Sequence, residues 1–215
     1  MCPVFLPDNS WLRFRVCWPF PCVLVFCLFR RSPFCAPVVK PLSAGCAFLF
    51  GWEGLRGIRD INVLFAFPHL GYDVTASDVA DDFINATKNK GVKTIKFNVL
   101  EDNFNEKYSG IFAWRVFVHF TKEDALMALQ KTYEALDDNG LFVFNVMNRE
   151  GKNVDEEWVD FSNEYHMGAE RYYKYFSEED MNEIITKTGF QVYDFHKEGG
   201  SNNNKWLVYV LKKGI

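Results

Sequence analysis

A carboxylate closes the first clearly patterned strand of this 215-residue chain. Residues 72–78 follow Gly71 and alternate apolar and polar side chains, which is typical of a β-strand, and they end at Asp78. In a parallel α/β sheet, ligands bind beyond the carboxyl ends of the strands, where an acidic side chain can accept hydrogen bonds from both hydroxyls of a ribose. The pattern therefore predicts such a sheet, with a site for a nucleoside-containing ligand at Asp78.

Helical and strand patterns alternate along the rest of the chain. The spacings predict helices at residues 60–70, 79–90, 121–138 and 177–188, and strands at 93–99, 109–118, 141–147, 190–196 and 205–211. A glycine- and asparagine-rich loop joins the last two strands, so they should pair antiparallel. The predicted fold class is α/β: a Rossmann-like doubly wound sheet, mostly parallel, with a C-terminal antiparallel hairpin.

Charge is distributed unevenly along the chain. Residues 1–60 hold 7 Lys and Arg against 3 Asp and Glu, which leaves 17 against 25, a formal charge of −8, for residues 61–215. An acidic surface argues against nucleic-acid binding, so we expect no nucleic-acid partner. The sequence contains no Gly-x-Ser-x-Gly elbow and no P-loop lysine motif, which argues against those hydrolase classes.

The first 45 residues differ in composition from the rest. All six cysteines and seven of the eight prolines lie within residues 1–46. The cysteines form no C-x-x-C pair, so no metal site is expected. Residues 16–29 are apolar but too short to span a membrane and are interrupted by Pro19 and Pro21. We predict an atypical Cys/Pro/Phe-rich segment at residues 1–45, poorly ordered on the simplest interpretation, a domain at 46–215, and a cytoplasmic protein. A cleaved signal peptide and a membrane-attached form stay open as alternatives.

Residues 71–211 resemble a known enzyme family. Five short motifs occur in the family's order, at residues 71–78, 97–100, 110–114, 118–120 and 133–142. With the terminal hairpin, they are similar to small class I S-adenosylmethionine-dependent methyltransferases, in particular the methyltransferase type 11 and tellurite-resistance groups. The resemblance implies that fold, S-adenosylmethionine as cofactor, and methyl transfer to a small-molecule acceptor.

The same resemblance implies roles for cofactor-binding residues. Asp78 would accept hydrogen bonds from the ribose hydroxyls, and Val79 would lie beside the adenine. Asn98 stands where the family usually has an aspartate that accepts from the adenine amino group, which an asparagine carbonyl can also do. The remaining members are Val99, through its backbone amide, and Trp114 and Arg115 near the methionine part. Two alternatives stay open: Asp78 as an ordinary strand-end or capping residue, and Asn98 as an ordinary turn former.

The family's Gly-x-Gly-x-Gly turn is not intact in this chain. In that turn, missing side chains let the backbone approach the cofactor closely. Residues 47–60 contain Gly51, Gly54 and Gly57, our candidates for this part of the site, but at a different spacing. The departure keeps a second hypothesis open: a noncatalytic methyltransferase-like binding or scaffold domain that has lost cofactor affinity.

The catalytic side chain is not determined by any motif. Methyl transfer from a sulfonium can depend mainly on alignment and exclusion of water, but a hydroxyl or amine acceptor benefits from a general base. The candidates are His119, His166 and Tyr172. An aromatic segment at residues 148–176 should cover the substrate, with Arg171, Tyr172 and Tyr173 as substrate-binding candidates. The alternatives are that these aromatics only pack the cover onto the sheet and that His119 is a packed helix-entry histidine.

Overall fold

The computed structural model describes residues 25–31, 72–160, 170–199 and 205–214. Within these ranges the strands are β1 (Val25–Arg31), β2 (Tyr72–Asp78), β3 (Thr94–Lys96), β4 (Tyr108–Trp114), β5 (Leu136–Asn148), β6 (Glu156–Asp160), β7 (Glu170–Phe176), β8 (Gln191–Glu198) and β9 (Trp206–Lys212). The helices are α1 (Asp81–Lys88), α2 (Lys122–Ala135) and α3 (Glu178–Thr186), and a 3₁₀ turn covers Phe117–His119. The helix predicted at residues 60–70 lies outside the described residues.

The described strands form one sheet. Neighbours run in the order β3-β2-β1-β4-β5, after which β5 pairs with β9, and β9 pairs with β8. The last two residues of β5 also pair with β7, and β7 pairs with β6. Following the pairings, β2, β3, β4, β5, β7 and β8 point one way, and β1, β6 and β9 point the other. The predicted mostly parallel α/β sheet with a C-terminal antiparallel hairpin, here β8 and β9, is confirmed.

The central strand β1 comes from the segment that the sequence assigned to residues 1–45. It lies between β2 and β4 and is antiparallel to both, with Phe26 opposite Ser77 and Val25 opposite Trp114. Its amino end therefore lies at the edge where β2 and β4 end. Most of β1 comes from the apolar run at residues 16–29, so part of this segment belongs to the sheet. The predicted domain boundary at residue 45 places β1 outside the domain whose sheet it joins. In other respects the division stays a prediction.

Several boundaries differ from the predicted ones. The strand predicted at residues 109–118 ends at Trp114, because Arg115 adopts a left-handed conformation and the chain then enters the 3₁₀ turn. Helix α2 ends at Ala135, before the predicted stop at Asn139. Leu136 is fully buried and pairs with Tyr108 of β4, so tertiary pairing ends the helix and begins β5 early. Within the described ranges, no helix is long and apolar enough to cross a membrane.

One hydrophobic cluster joins β4, β5 and β9 to helices α2 and α3. Ile111 of β4, Phe142 of β5 and Leu207 of β9 are almost fully buried in it, as are Leu129 of α2 and Met181 of α3. Burial of this kind contributes about 25 cal/mol per Å² of apolar surface. The cluster holds β4 and β5 in place, and these strands carry the polar residues at the carboxyl edge of the sheet.

Both longer helices begin with a capping box, as the four-residue patterns at residues 121–124 and 177–180 predict. The Thr121 hydroxyl accepts a hydrogen bond from the Asp124 backbone N–H at 3.1 Å, and the Asp124 carboxylate accepts one from the Thr121 N–H at 3.3 Å. Ser177 and Asp180 form the same arrangement at α3. Each box satisfies backbone donors that a helix start otherwise leaves without an intrahelical partner.

We expect Thr121→Ala to lower the free energy of unfolding by about 1 kcal/mol, since an N-cap hydroxyl is lost from the start of α2. Urea denaturation followed by circular dichroism measures the change. Thr186→Ala is the matched control: its hydroxyl bonds the Asn182 carbonyl at 2.7 Å on an exposed helix surface, so we expect a change below about 0.5 kcal/mol. Equal losses in the two variants would contradict the capping argument.

Candidate active site

Asp78 lies at the carboxyl end of β2, and the fold buries it. Its side chain is only 5% exposed, and its Oδ1 accepts a hydrogen bond from the Ala80 N–H at 2.8 Å. Burial raises the pKa of this carboxyl from 3.8 to about 6, although the backbone N–H groups of Ala80 and Val79 act in the opposite direction. A raised pKa means that local donors do not replace the hydration lost on burial. Two hydroxyl donors from a ribose would supply what the ionised carboxylate lacks, so Asp78 fits the predicted cofactor.

The turn after β3 lies beside Asp78. The Phe97 N–H donates to the Asp78 carbonyl at 3.1 Å, which joins the two segments. The Asn98 side-chain oxygen accepts from the Leu100 N–H at 3.1 Å, and this is the turn-forming role that the sequence left open. A carbonyl oxygen has two lone pairs, so it can accept a second hydrogen bond.

Val79 and Val99 differ in which group is accessible at the carboxyl edge of the sheet. Val79 is 44% exposed directly after Asp78, whereas the Val99 side chain is 3% exposed and belongs to the core cluster. No hydrogen bond joins the Val99 backbone N–H to another described residue. A side chain at 79 and a backbone amide at 99 are the groups that the resemblance assigned to the adenine.

The corner after β4 carries the predicted residues Trp114 and Arg115, and two residues that sequence reasoning missed, Asn145 and Trp206, contact it. Trp114 stacks on Phe112, with ring centroids 5.4 Å apart, and it lies opposite Val25 at the amino end of β1. Arg115 donates its backbone N–H to the Asn145 side-chain oxygen at 2.7 Å. Its guanidinium carbon lies 5.5 Å from the centre of the Trp206 ring. The available signal for Asn145 was a polar residue within the apolar run of β5.

His119 connects the 3₁₀ turn to strand β7. Its Nδ1 lies 2.7 Å from the Tyr172 carbonyl oxygen, and its ring lies 5.0 Å from that of Tyr173. A carbonyl can only accept, so Nδ1 carries the hydrogen and Nε2 is the basic nitrogen of the neutral imidazole. The structure therefore brings together two separately predicted parts of the site, His119 and the Tyr172-Tyr173 segment.

Tyr172 is less suited to act as a base. Its hydroxyl donates to Glu156 Oε2 at 2.8 Å across the hairpin of β6 and β7. Burial and this hydrogen bond raise the pKa of the phenol to about 12, which disfavours the phenolate that a base would need. Arg171 is half-buried on β7, opposite Val159. The cover predicted at residues 148–176 thus contains a two-stranded ribbon.

Four predicted site residues lie outside the described residues: Gly51, Gly54, Gly57 and His166. The structure therefore does not test the glycine turn or the second histidine. Among the residues that are described, no cluster of three or more His, Cys, Asp or Glu side chains is placed to hold a metal ion.

The fold is α/β, and its carboxyl edge carries a buried carboxylate at the end of β2. The sequence matches the family model described as "Methyltransferase domain" over residues 58–194. This match covers more than half of the chain, so the protein belongs to the methyltransferase domain family. The methyltransferase predicted from the motifs, and its class I fold, are confirmed. A search of curated proteins found no match.

Solved methyltransferases share the fold at low sequence identity. An S-adenosylmethionine-dependent methyltransferase from Clostridium acetobutylicum ATCC 824 has a TM-score of 0.52 and 13% identity, covering 66% of this chain and 75% of that one. The CcbJ methyltransferase from Streptomyces caelestis has a TM-score of 0.57 and 14% identity, covering 71% and 79%. The 1,6-didemethyltoxoflavin-N1-methyltransferase from Burkholderia thailandensis, solved with bound 1,6-didemethyltoxoflavin and S-adenosylhomocysteine, has a TM-score of 0.52 and 18% identity, covering 70% of this chain and 65% of that one. These likenesses establish the fold.

Proposed function

We propose that the protein transfers the methyl group of S-adenosylmethionine to a small-molecule acceptor held between the 3₁₀ turn and the hairpin of β6 and β7. The observation that carries the proposal is Asp78, a buried carboxylate with a raised pKa at the carboxyl end of β2, within a chain of the methyltransferase family. Ionised and buried, it needs donors of the kind that a ribose provides.

The cofactor would lie along the edge from β3 to β4. In this arrangement Asp78 holds the ribose, Val79 packs on the adenine, and the segment at Asn98 and Val99 offers a carbonyl and an amide to the ring edge. The other proposed contacts are Trp114 and Arg115 with the methionine part, and Gly51, Gly54 and Gly57. Bound S-adenosylmethionine supplies a methyl carbon that its sulfonium already activates, so alignment of the acceptor is the main task left to the protein.

The direction of β1 determines at which edge of the sheet a turn after this strand would lie. In the family, that turn follows the carboxyl end of the first strand. Here Arg31, at the carboxyl end of β1, pairs with Tyr72, which is at the start of β2 and away from Asp78. A turn directly after β1 would therefore lie at the edge of the sheet opposite to Asp78.

The acceptor side is formed by His119 and the cover. Nε2 of His119 is the basic atom, because Nδ1 donates to the Tyr172 carbonyl. It would accept a proton from a hydroxyl or amine acceptor as the methyl group transfers. Arg171, Tyr172 and Tyr173 would contact the acceptor, and their aromatic rings suit a planar or cationic molecule. His166 stays a second candidate base.

We also propose a cytoplasmic location and no nucleic-acid partner. The formal charge of −8 over residues 61–215 supports the second of these, since it would repel phosphate backbones.

Calorimetric titration of the full chain with S-adenosylmethionine and S-adenosylhomocysteine tests the proposed site. We expect binding of both in the micromolar range, about that of enzyme cofactors and substrates in general. NAD serves as the control ligand. It also carries adenosine, but it should not compete with S-adenosylmethionine at equal concentration. Folded protein that fails to bind either ligand at millimolar concentration would overturn the proposal and favour a methyltransferase-like scaffold that has lost cofactor affinity.

A further inference from the structure

Arg115 adopts a backbone conformation that its side chain does not favour. Its φ angle is 59°, in the left-handed region that glycine occupies freely and bulky residues rarely adopt. The residue directly follows β4, at the edge that carries Asp78. Strained backbone of this kind persists only where the surrounding structure holds it, and it is concentrated at functional sites.

Asn145 supplies the contact that holds this conformation. Its side-chain oxygen accepts the Arg115 backbone N–H at 2.7 Å, from the neighbouring strand β5. The residue is 0% exposed, between the fully buried Phe144 and Val146. Its side-chain nitrogen has no hydrogen-bond partner among the described residues. A buried donor without a partner costs stability, so an asparagine here is explained by the task of its oxygen rather than by packing.

The corner fixed by Asn145 carries the proposed site. Trp114 ends β4 on one side of Arg115, and His119 follows in the 3₁₀ turn on the other. The Arg115 guanidinium lies over the ring of Trp206, which begins β9. A change of φ at residue 115 would therefore move two residues together: Trp114 on the cofactor side and His119, the candidate base, on the acceptor side.

We propose that Asn145 is a positioning residue of the active site, whose amide oxygen locks Arg115 in the left-handed conformation and thereby aligns Trp114 and His119. This inference rests on the proposed function, because it assigns Asn145 its task within that site. Asn145 does not touch cofactor or acceptor in this account and acts only through the corner.

The test compares variants of the full chain by titration with S-adenosylhomocysteine. Asn145→Leu removes the oxygen at similar volume and should raise Kd about tenfold, whereas Asn145→Asp keeps an acceptor oxygen and should stay within about threefold of wild type. Thr132→Val is the matched control. It removes a fully buried hydroxyl that bonds the Ala128 carbonyl at 2.7 Å, and it should leave Kd within about twofold.

A glycine at residue 115 provides a second, independent test. Glycine adopts a positive φ without strain, so in an Arg115→Gly background the Asn145→Leu change should cost less than about threefold in Kd. A cost of about tenfold in that background would overturn the proposal, as would Asn145→Asp binding as weakly as Asn145→Leu. If the leucine variant does not fold, Asn145→Ser, whose side chain is one atom shorter, takes its place in the same comparisons.

Hydrogen exchange of the ligand-free protein separates this inference from the proposed function. In Asn145→Leu the Arg115 amide should exchange about tenfold faster while the amides of α2 keep their protection, whereas general destabilisation would accelerate both. If the wild-type protein does not bind S-adenosylhomocysteine, the proposed function fails. The exchange rates still test whether Asn145 holds the Arg115 backbone. Unchanged exchange at Arg115 would overturn it.

Discussion

Asp78→Asn should stabilise the ligand-free protein and weaken cofactor binding. Burial raises the pKa of this carboxyl from 3.8 to about 6, so the ionised form is destabilised in the folded state. An isosteric neutral side chain removes that cost, which amounts to about 3 kcal/mol above pH 7 on the scale of 1.36 kcal/mol per pKa unit. The amide oxygen of the substituted side chain would keep the hydrogen bond from the Ala80 N–H. Loss of charge-assisted bonds to the ribose should lower affinity for S-adenosylhomocysteine about tenfold or more.

The pH dependence gives the stabilisation a distinctive form. A carboxyl with a higher pKa in the folded state binds its proton more tightly when folded, so this group lowers wild-type stability as pH rises from 3.8 to about 6. The advantage of Asp78→Asn should therefore be full above pH 6 and absent below pH 3.8. Urea denaturation of both proteins across this window measures it. Wild-type cofactor affinity should decrease as pH falls below about 6, whereas that of the variant should not.

Asp73→Asn is the matched control for this prediction. Asp73 lies on the same strand but is exposed, so the same substitution should change stability by less than about 0.5 kcal/mol and leave affinity unaltered. If Asp78→Asn weakened binding without stabilising the free protein, the burial argument would be wrong. If it stabilised the protein and left binding intact, Asp78 would be a buried strand-end residue with no role in cofactor binding.

The elements that the sequence predicted well are those whose signals are local. The capping boxes at Thr121 and Ser177 depend on four consecutive residues, and both occur in the structure. The carboxylate at the end of β2 and the antiparallel hairpin of β8 and β9 likewise follow from short patterns. Each of these features satisfies hydrogen bonds or buries side chains within a few residues of its own position, so neighbouring sequence is sufficient to specify it.

The features that the sequence missed depend on pairing between distant segments. Strand β1 joins β2 and β4, more than forty residues away from the first and about eighty from the second, and an apolar run does not encode its direction or partners. The early start of β5 at Leu136 similarly depends on Tyr108 of β4. Asn145 becomes informative only once Arg115 is seen opposite it. Periodicity describes which face is buried, but it does not identify the partner across a sheet.

Phe117 links the stability of the core to the position of the candidate base. Its side chain is fully buried in the 3₁₀ turn that carries His119, and its ring centroid lies 4.7 Å from that of Phe144, 5.2 Å from Phe120 and 5.8 Å from Phe142. Phe117→Ala should lower the free energy of unfolding by about 3–5 kcal/mol, through lost burial and the cavity left among these rings. This is a large share of the 5–15 kcal/mol or so that holds a typical domain folded. Urea denaturation measures the loss.

Trp158→Ala provides the contrast that isolates burial. Trp158 is larger than Phe117 but 66% exposed on the edge strand β6, so its removal should cost less than about 1 kcal/mol. Phe117→Leu fills most of the space and should lose about 1–2 kcal/mol. Because the 3₁₀ turn rests on this ring, Phe117→Ala should also release the His119 imidazole from the Tyr172 carbonyl, which the imidazole NMR signals would report. Equal costs for the alanine variants at residues 117 and 158 would mean that the turn is not anchored by the core, and His119 would then lack the fixed position that a base requires.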